Sequence, residues 1–200
     1  MCPTGDVDLI VGKINTAAAQ NLFYVNDGTG NFAIKDSPLS SSSKSTRAVT
    51  IADLDGDNDA DVLVANYAGT PEIWINNGAG ELTALEGTPI TAASVLAYSI
   101  LAADLDNDGD NDVILAPINN YWNLGSGALT EVKTTPISAD ASHTTTVLFA
   151  DIDGDGDADL FVGNYRQTSG AASRNQLYTN DGYGMAQAQS HGHGHGHGQG

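Results

Sequence analysis

The chain has a single cysteine, Cys2, in 200 residues, so no internal disulfide can form and a thiolate zinc site has no ligands. Basic residues are scarce as well: seven Lys and Arg face 25 Asp and Glu, a formal charge of -18. That balance argues against a nucleic-acid partner, whose phosphates it would repel. No run approaches the ~18 uninterrupted apolar residues of a membrane span, so no membrane insertion is expected. Residues 1–6 have neither the basic nor the apolar region of a secretion signal, and any export signal is expected outside this chain. Helix-compatible stretches are missing too, because β-branched runs are broken every few residues by Gly, Asn and Pro.

What is present is acidic and periodic. Five aspartates alternate in Asp53, Asp55, Asp57, Asp59 and Asp61, and the pattern recurs in Asp104, Asp106, Asp108, Asp110 and Asp112 and in Asp151, Asp153, Asp155, Asp157 and Asp159. These three segments hold most of the acidic residues, so the charge is local rather than a sign of disorder. Carboxylates at alternate positions of a tight Gly- and Asn-containing turn converge on one point, which suits a hard dication with six to eight oxygen ligands, Ca2+. Without metal, neighbouring carboxylates ~4 Å apart repel by about 1 kcal/mol per pair in water and by more away from solvent. An EF-hand is excluded, because its twelfth-position Glu is replaced by Val64, Leu115 and Val162. Magnesium fits less well, since it retains water and takes fewer protein ligands.

The acidic segments mark a repeat of about fifty residues: Asp53 and Asp104 are 51 positions apart, Asp104 and Asp151 are 47. A Gly turn follows each strand pair, at Asn26-Asp-Gly28, Asn76-Asn-Gly78, Asn123-Leu-Gly125 and Asn180-Asp-Gly182, because Asn and Gly tolerate positive φ. A Pro and an aliphatic residue recur as Pro38-Leu39, Pro89-Ile90 and Pro136-Ile137, each Pro 15 positions before the first loop aspartate. Ser40 to Ser43 read as a flexible connection. The segments between loop and turn vary in length. Each unit reads as four short strands: one before the acidic loop, a continuous apolar run after it such as residues 62–65, 113–116 or 160–163, a third with Tyr24, Trp74, Tyr121 or Tyr178, and a fourth starting at Phe32, Leu82 or Leu129. The third-strand aromatics are expected in the core between units.

Four-stranded sheets stacked radially satisfy these constraints, so the expected fold is all-β, a β-propeller of four-stranded blades with about four blades present. The Asp-x-Asp-Gly-Asp-x-x-x-Asp loop followed by an apolar strand resembles the FG-GAP or VCBS repeat, the calcium-binding blade of integrin α-chain propellers, over residues 6 to 184. The resemblance implies a calcium hairpin between the first two strands of each blade, on the face opposite the usual ligand surface. It also implies side-chain ligation by the first, second, third and fifth aspartates (Asp53, Asp55, Asp57, Asp61; Asp104, Asp106, Asp108, Asp112; Asp151, Asp153, Asp155, Asp159) and carbonyl ligation by Asp59, Asp110 and Asp157. Gly56, Gly109, Gly154 and Gly156 are expected to permit the tight backbone path.

The blades are expected at about 1–37, 38–88, 89–135 and 136–184, with 185–200 a low-complexity His/Gly tail or tag whose alternating His191, His193, His195 and His197 could hold a transition metal. Asp6 and Asp8 match the end of an acidic loop whose earlier positions are Cys2 and Thr4, so a fourth calcium site there is expected to be weak or empty. An incomplete ring, as in a fragment of a larger propeller, is the expectation, with self-association through the terminal blades as an alternative. Fixed acidic loops beside loops of changing length point to a calcium-binding module of an extracellular or cell-surface protein that mediates adhesion, binding a protein or a glycan and not acting as an enzyme. Candidate contacts are Lys13, Asn66, Tyr67, Asn164, Tyr165 and Arg166. The alternatives are an accessory propeller of a larger secreted enzyme and a purely structural repeat.

Overall fold

Short β-branched and aromatic runs, continuous and apolar after each acidic loop and closed by Gly turns, build four antiparallel sheets in chain order. The computed structural model describes residues 6–14, 20–42, 44–67, 69–93, 95–116, 119–123, 128–132, 144–165, 175–182 and 187–189. The first sheet holds β1 (Leu9–Val11), β2 (Leu22–Asn26) and β3 (Phe32–Lys35), three strands among the described residues. The second holds β4 (Thr46–Ala52), β5 (Asp61–Asn66), β6 (Glu72–Asn76) and β7 (Leu82–Ala84). The third holds β8 (Ser99–Ala103), β9 (Asp112–Ala116), β10 (Asn119–Asn123) and β11 (Leu129–Val132), and the fourth β12 (Thr144–Ala150), β13 (Asp159–Asn164), β14 (Gln176–Thr179) and β15 (Gln187–Gln189). Every connection within a sheet joins neighbours, so each sheet is an up-and-down meander.

Sheets stack face to face because the strand after each acidic loop is apolar on both sides. In β5, Val62 and Val64 face the first sheet with Trp74, Leu82 and Leu39, while Leu63 and Ala65 face the third with Ile73, Ile100, Val113 and Leu115. In β9 the parity repeats: Ile114 and Ala116 pack against Val147, Leu160, Val162 and Tyr178 of the fourth sheet. All of β5 and β9 is buried, as expected of a strand with neighbours on either side. Trp74 and Tyr178 lie in the inter-sheet cores as expected. Tyr24 instead pairs with Leu9 and Ile34 on the outer face of the first sheet and is only half-buried.

Two expectations from the sequence need correction: that helix-compatible stretches are missing, and that Ser40 to Ser43 form a flexible connection. The Pro-aliphatic landmarks at Pro38 and Pro89 open single helical turns, a 3-10 turn at Pro38–Ser41 and an α-turn, α1, at Pro89–Ala92. Ser37 and Thr88 cap them through their side chains, and Pro in the first turn removes a donor that would have had no partner. The aliphatic residue after each Pro, Leu39 or Ile90, is fully buried and plugs the seam between successive sheets. Ser40 and Ser41 therefore belong to an ordered turn. Outside the described residues lie Cys2, Thr4, Ser43, Gly125, Gly127, Pro136, Ile137, His143, Arg166, Gly184 and residues 190–200 of the expected His/Gly tail, whose residues 187–189 instead form β15 of the fourth sheet.

The outer turns are folded by their own Asn side chains. Asn76 Oδ1 accepts from Gly80 N at 3.0 Å, Asn26 Oδ1 from Gly28 N at 3.1 Å and Gly30 N at 3.2 Å, and Asn180 Oδ1 from Gly182 N at 3.2 Å. In the first turn the Thr29 hydroxyl and amide, with Asn31, also bond Asp27 and hold its carboxyl well below the usual carboxylate range. At Gly78 φ is +76°, and a Cβ there would collide with the Asp59 carboxylate. Gly30 has φ +89° but open space around it. Gly78→Ala should therefore cost about 1 kcal/mol more than Gly30→Ala, and that excess should vanish in an Asp59→Ala background, as read from a double-mutant cycle of denaturation midpoints.

Candidate metal centres

Each acidic loop joins the first two strands of its sheet, β4 to β5, β8 to β9 and β12 to β13, so all three open at the same end of the stack. The path between strands needs two left-handed residues per loop. They are Gly56 (φ +77°) and Asn58 (+67°), Asn107 (+59°) and Gly109 (+96°), and Gly154 (+84°) and Gly156 (+100°). Gly and Asn exchange at these positions because Asn is the side-chain-bearing residue that tolerates this region best. The expected role of Gly56, Gly109, Gly154 and Gly156 holds, and Asn58 and Asn107 share it.

The aspartates, alike in sequence, divide into distinct roles. The first in each loop accepts two amides of its own loop: Asp53 from Gly56 N at 2.9 Å and Asn58 N at 2.9 Å, Asp104 from Asp108 N at 3.2 Å and Gly109 N at 3.0 Å, Asp151 from Gly154 N at 2.7 Å and Gly156 N at 3.2 Å. The third caps the turn two residues on: Asp57 Oδ1 accepts from Asp59 N at 2.8 Å, and Asp108 and Asp155 accept from Asp110 N and Asp157 N at 3.0 Å. The second carries the free oxygen. Asp55 Oδ1 and Asp106 Oδ1 are buried atoms with no hydrogen-bond partner. A buried carboxylate oxygen without a donor is costly unless a cation meets it.

The fourth aspartate turns away from this point. The carboxylates of Asp59 and Asp157 sit against Gly78 and Gly182 of the outer turns, and Asp6 sits in the same way against Gly28. For Asp59 and Asp157 the resemblance implies ligation through the carbonyl, which leaves the side chain for this contact. The fifth aspartate is buried at the base. Asp61 Oδ2 accepts from Leu54 N and its Oδ1 from Asn76 N, both at 2.8 Å, and Asp159 does the same with Ile152 N and Asn180 N, both at 2.8 Å. Asp112 Oδ2 accepts from Leu105 N at 3.0 Å, and Asp8 Oδ1 from Asn26 N at 3.0 Å. The fifth residue thus ties the loop to the next hairpin.

Ligand atoms within 4.8 Å of one another come from Asp53, Asp55 and Asp57, from Asp104, Asp106 and Asp108, and from Asp151, Asp153 and Asp159. The structure brings the first three predicted side-chain ligands together in two loops, without Asp61 or Asp112; in the third it groups the first two with the base aspartate, Asp159, and not with Asp155. Electrostatics agree with a crowded anionic point. Burial, then the neighbouring Asp57, raises the Asp55 pKa; burial, then Asp108, raises that of Asp106; and desolvation, then Asp155, raises that of Asp153. Burial pushes Asp61 up to about 6 although Asn76 N and Leu54 N donate to it, with Asp55 and Asp57 adding to the rise. The donor set is all oxygen and all anionic, with buried lone pairs left free, and so it fits a hard divalent cation.

Adjacent loops touch. Asn107 donates to Asp157 Oδ1 at 2.7 Å, Asn111 donates to the Asp53 carbonyl at 2.9 Å, and Asn180 donates to the Leu105 carbonyl at 2.9 Å. These bonds run from one sheet to the next and join the loops into a row. Of the candidate contacts at the opposite end, Asn66 is buried, hydrogen-bonded to Thr46 at 3.1 Å and Thr70 at 2.9 Å, and shapes the strand end rather than meeting solvent. Asn164 pairs with Thr144 at 2.9 Å in the same way, while Tyr165 is exposed.

Stacked antiparallel sheets, each carrying an acidic hairpin between its first two strands, define a β-propeller-like repeat module. The model of the FG-GAP-like repeat matches residues 4–64, 53–115 and 116–162, and that of the FG-GAP repeat matches 143–183. The chain belongs to the FG-GAP repeat family, and its sheets are β-propeller blades. No curated protein matches the chain closely enough to serve as a relative.

Two outcomes follow. Asp61→Ala strands two buried amides and should destabilise the calcium-free protein by about 2–5 kcal/mol, whereas Asp55→Asn should leave calcium-free stability nearly unchanged, both read from denaturant unfolding. The raised Asp61 pKa has a definite sign: the folded state holds its proton more tightly than the unfolded chain, so its contribution is full below about 4 and is lost as pH rises through about 6. Calcium-stripped protein should accordingly melt higher at pH 4.5 than at pH 7.5, and calcium should reverse that order, as thermal melts in the two buffers would show.

Proposed function

We propose that the chain is a non-catalytic, calcium-stabilised binding module of an extracellular or cell-surface protein, presenting the end of its blades opposite the acidic loops to a protein or glycan. The observation that carries the calcium assignment is the pair of buried, partnerless oxygens on Asp55 and Asp106, each at the point where the first three aspartates converge. Asp53, Asp55, Asp57 and Asp61 would hold the first ion, Asp104, Asp106, Asp108 and Asp112 the second, and Asp151, Asp153, Asp155 and Asp159 the third, with carbonyls from Asp59, Asp110 and Asp157. The bound dication would neutralise the clustered carboxylates. The loop residues themselves do the rest: the first and third aspartates hold the turn, and the fifth anchors it to the sheet.

Extracellular placement rests on supply, because open sites of this kind fill readily where calcium is millimolar. No described helix is long and apolar enough to cross a membrane. Calorimetric titration of calcium-stripped protein should show about three sites and a rise in melting temperature, with magnesium giving a smaller rise. Absence of both heat and stabilisation would contradict the assignment. Asp55→Asn should remove one site from the stoichiometry or weaken it at least tenfold.

A further inference from the structure

The end of the stack opposite the acidic loops carries a cationic and aromatic cluster assembled from three separate segments. Arg47 is the second residue of β4, Tyr67 follows β5 directly and Tyr98 precedes β8 directly. The Arg47 guanidinium lies 4.6 Å from the Tyr67 ring centroid and 5.9 Å from that of Tyr98, and the two rings meet edge-on with centroids 5.6 Å apart at 71°. Backbone bonds fix both tyrosines: Tyr67 N donates to Ser45 O at 2.8 Å and Tyr98 N to Ala116 O at 2.8 Å. Arg47 is exposed, and the tyrosines are half-buried.

Lys35 lies 3.7 Å from Glu81 and Lys44 3.0 Å from Glu72, whereas Arg47, like Lys13, has no carboxylate partner among the described residues, and it is Arg47 that stacks on two rings. An arginine in so acidic a chain that stacks on rings instead of pairing with a carboxylate keeps its donor fork available. Stacking restricts the side chain, so less entropy is lost when the fork closes on an anion. Beside it a cleft of about 200 Å³ between the first two sheets is lined by Ile10, Gly12, Ile14, Thr46 and Val49. That volume is below the ~300 Å³ at which drug-sized pockets begin, and so suits one ring rather than a chain of them.

The net charge does not forbid an anion here. β4 spans seven residues between this end and its acidic loop. At ~3.3 Å per residue that is about 20 Å, more than twice the ~8 Å screening length of physiological salt.

Resting on the proposed binding role of this end, we infer that Arg47, Tyr67 and Tyr98 form a receptor for a carboxylate-bearing sugar, a uronic or sialic acid residue, with the carboxylate on the Arg47 fork and the ring over the adjoining cleft. A planar fork matches a carboxylate with two parallel hydrogen bonds. A neutral glycan would leave that fork unused. An acidic peptide would bring a carboxylate on a flexible side chain with no ring to fill the cleft.

The test is retention of the calcium-loaded full chain on immobilised glucuronate-terminated, sialic-acid-terminated and neutral lactose-terminated glycans, and on an aspartate-rich peptide. Retention on one or both acidic glycans, lost at least tenfold in both Arg47→Gln and Arg47→Lys and reduced in Tyr67→Ala, is expected. The calcium-induced rise in melting temperature should be unchanged in each variant, which separates loss of the receptor from loss of the fold. Equal retention on lactose, preference for the peptide, or wild-type retention by Arg47→Gln would overturn the inference while leaving a binding role intact. Retention on nothing at all would overturn both.

Discussion

A buried aspartate at the base of each acidic loop is the constraint on which the rest of the structure depends. Asp61 and Asp159 accept the second amide of their own loop on one oxygen and the Asn amide that opens the outer Gly turn on the other. Three pieces of chain distant in sequence are thereby fixed by one carboxylate: the end of the first strand, the start of the second and the end of the third. Hydrogen bonds to a charged acceptor in a buried site are among the stronger ones a protein makes, at about 1.5–3 kcal/mol each. Burial works against them by raising the Asp61 pKa, so this aspartate is held near the limit of what the site can keep ionised. Asp8 repeats one of these bonds in the first sheet, where Asn26 is its donor.

On that base the other aspartates are free to serve the proposed cation. The first and third shape the loop through their amide bonds, and the second presents an oxygen with no protein donor. Repetition then gives the row of loops a collective character. Asn107, Asn111 and Asn180 bond across the blade boundaries at the same end as the carboxylates. The three loops are thereby held in direct contact with one another.

Much of this was legible in the sequence, for a physical reason. An acidic hairpin of fixed spacing and a sheet stacked on both faces, which demands continuous apolar strands, recur in every complete repeat, so Asp53 to Asp61 and residues 62–65 carried both the repeat and the buried strand at once. Five aspartates of one type could not reveal their separate tasks, since those depend on which amides the folded loop turns toward each carboxylate. Pro38 and Pro89 were visible as landmarks, but the helical turns were not: they are too short for periodicity to register. Ser40 was misjudged as flexible because a serine run resembles a linker. Of the Arg47 cluster only Tyr67 stood out in the sequence, as a candidate contact: Arg47 and Tyr98 hold the same place before their acidic loops in successive repeats but are different residue types, and the three meet only through stacking.

Amide hydrogen exchange, measured residue by residue with and without calcium, tests the central division of labour most directly. The account predicts that the amides of Leu54, Asn76, Ile152 and Asn180 stay protected in the calcium-free protein, while those of Gly56, Asn58, Gly154 and Gly156 become protected only when calcium is added. If the first group exchanged as fast as the second without calcium, the buried aspartates would not be holding the blades together and the account would be wrong.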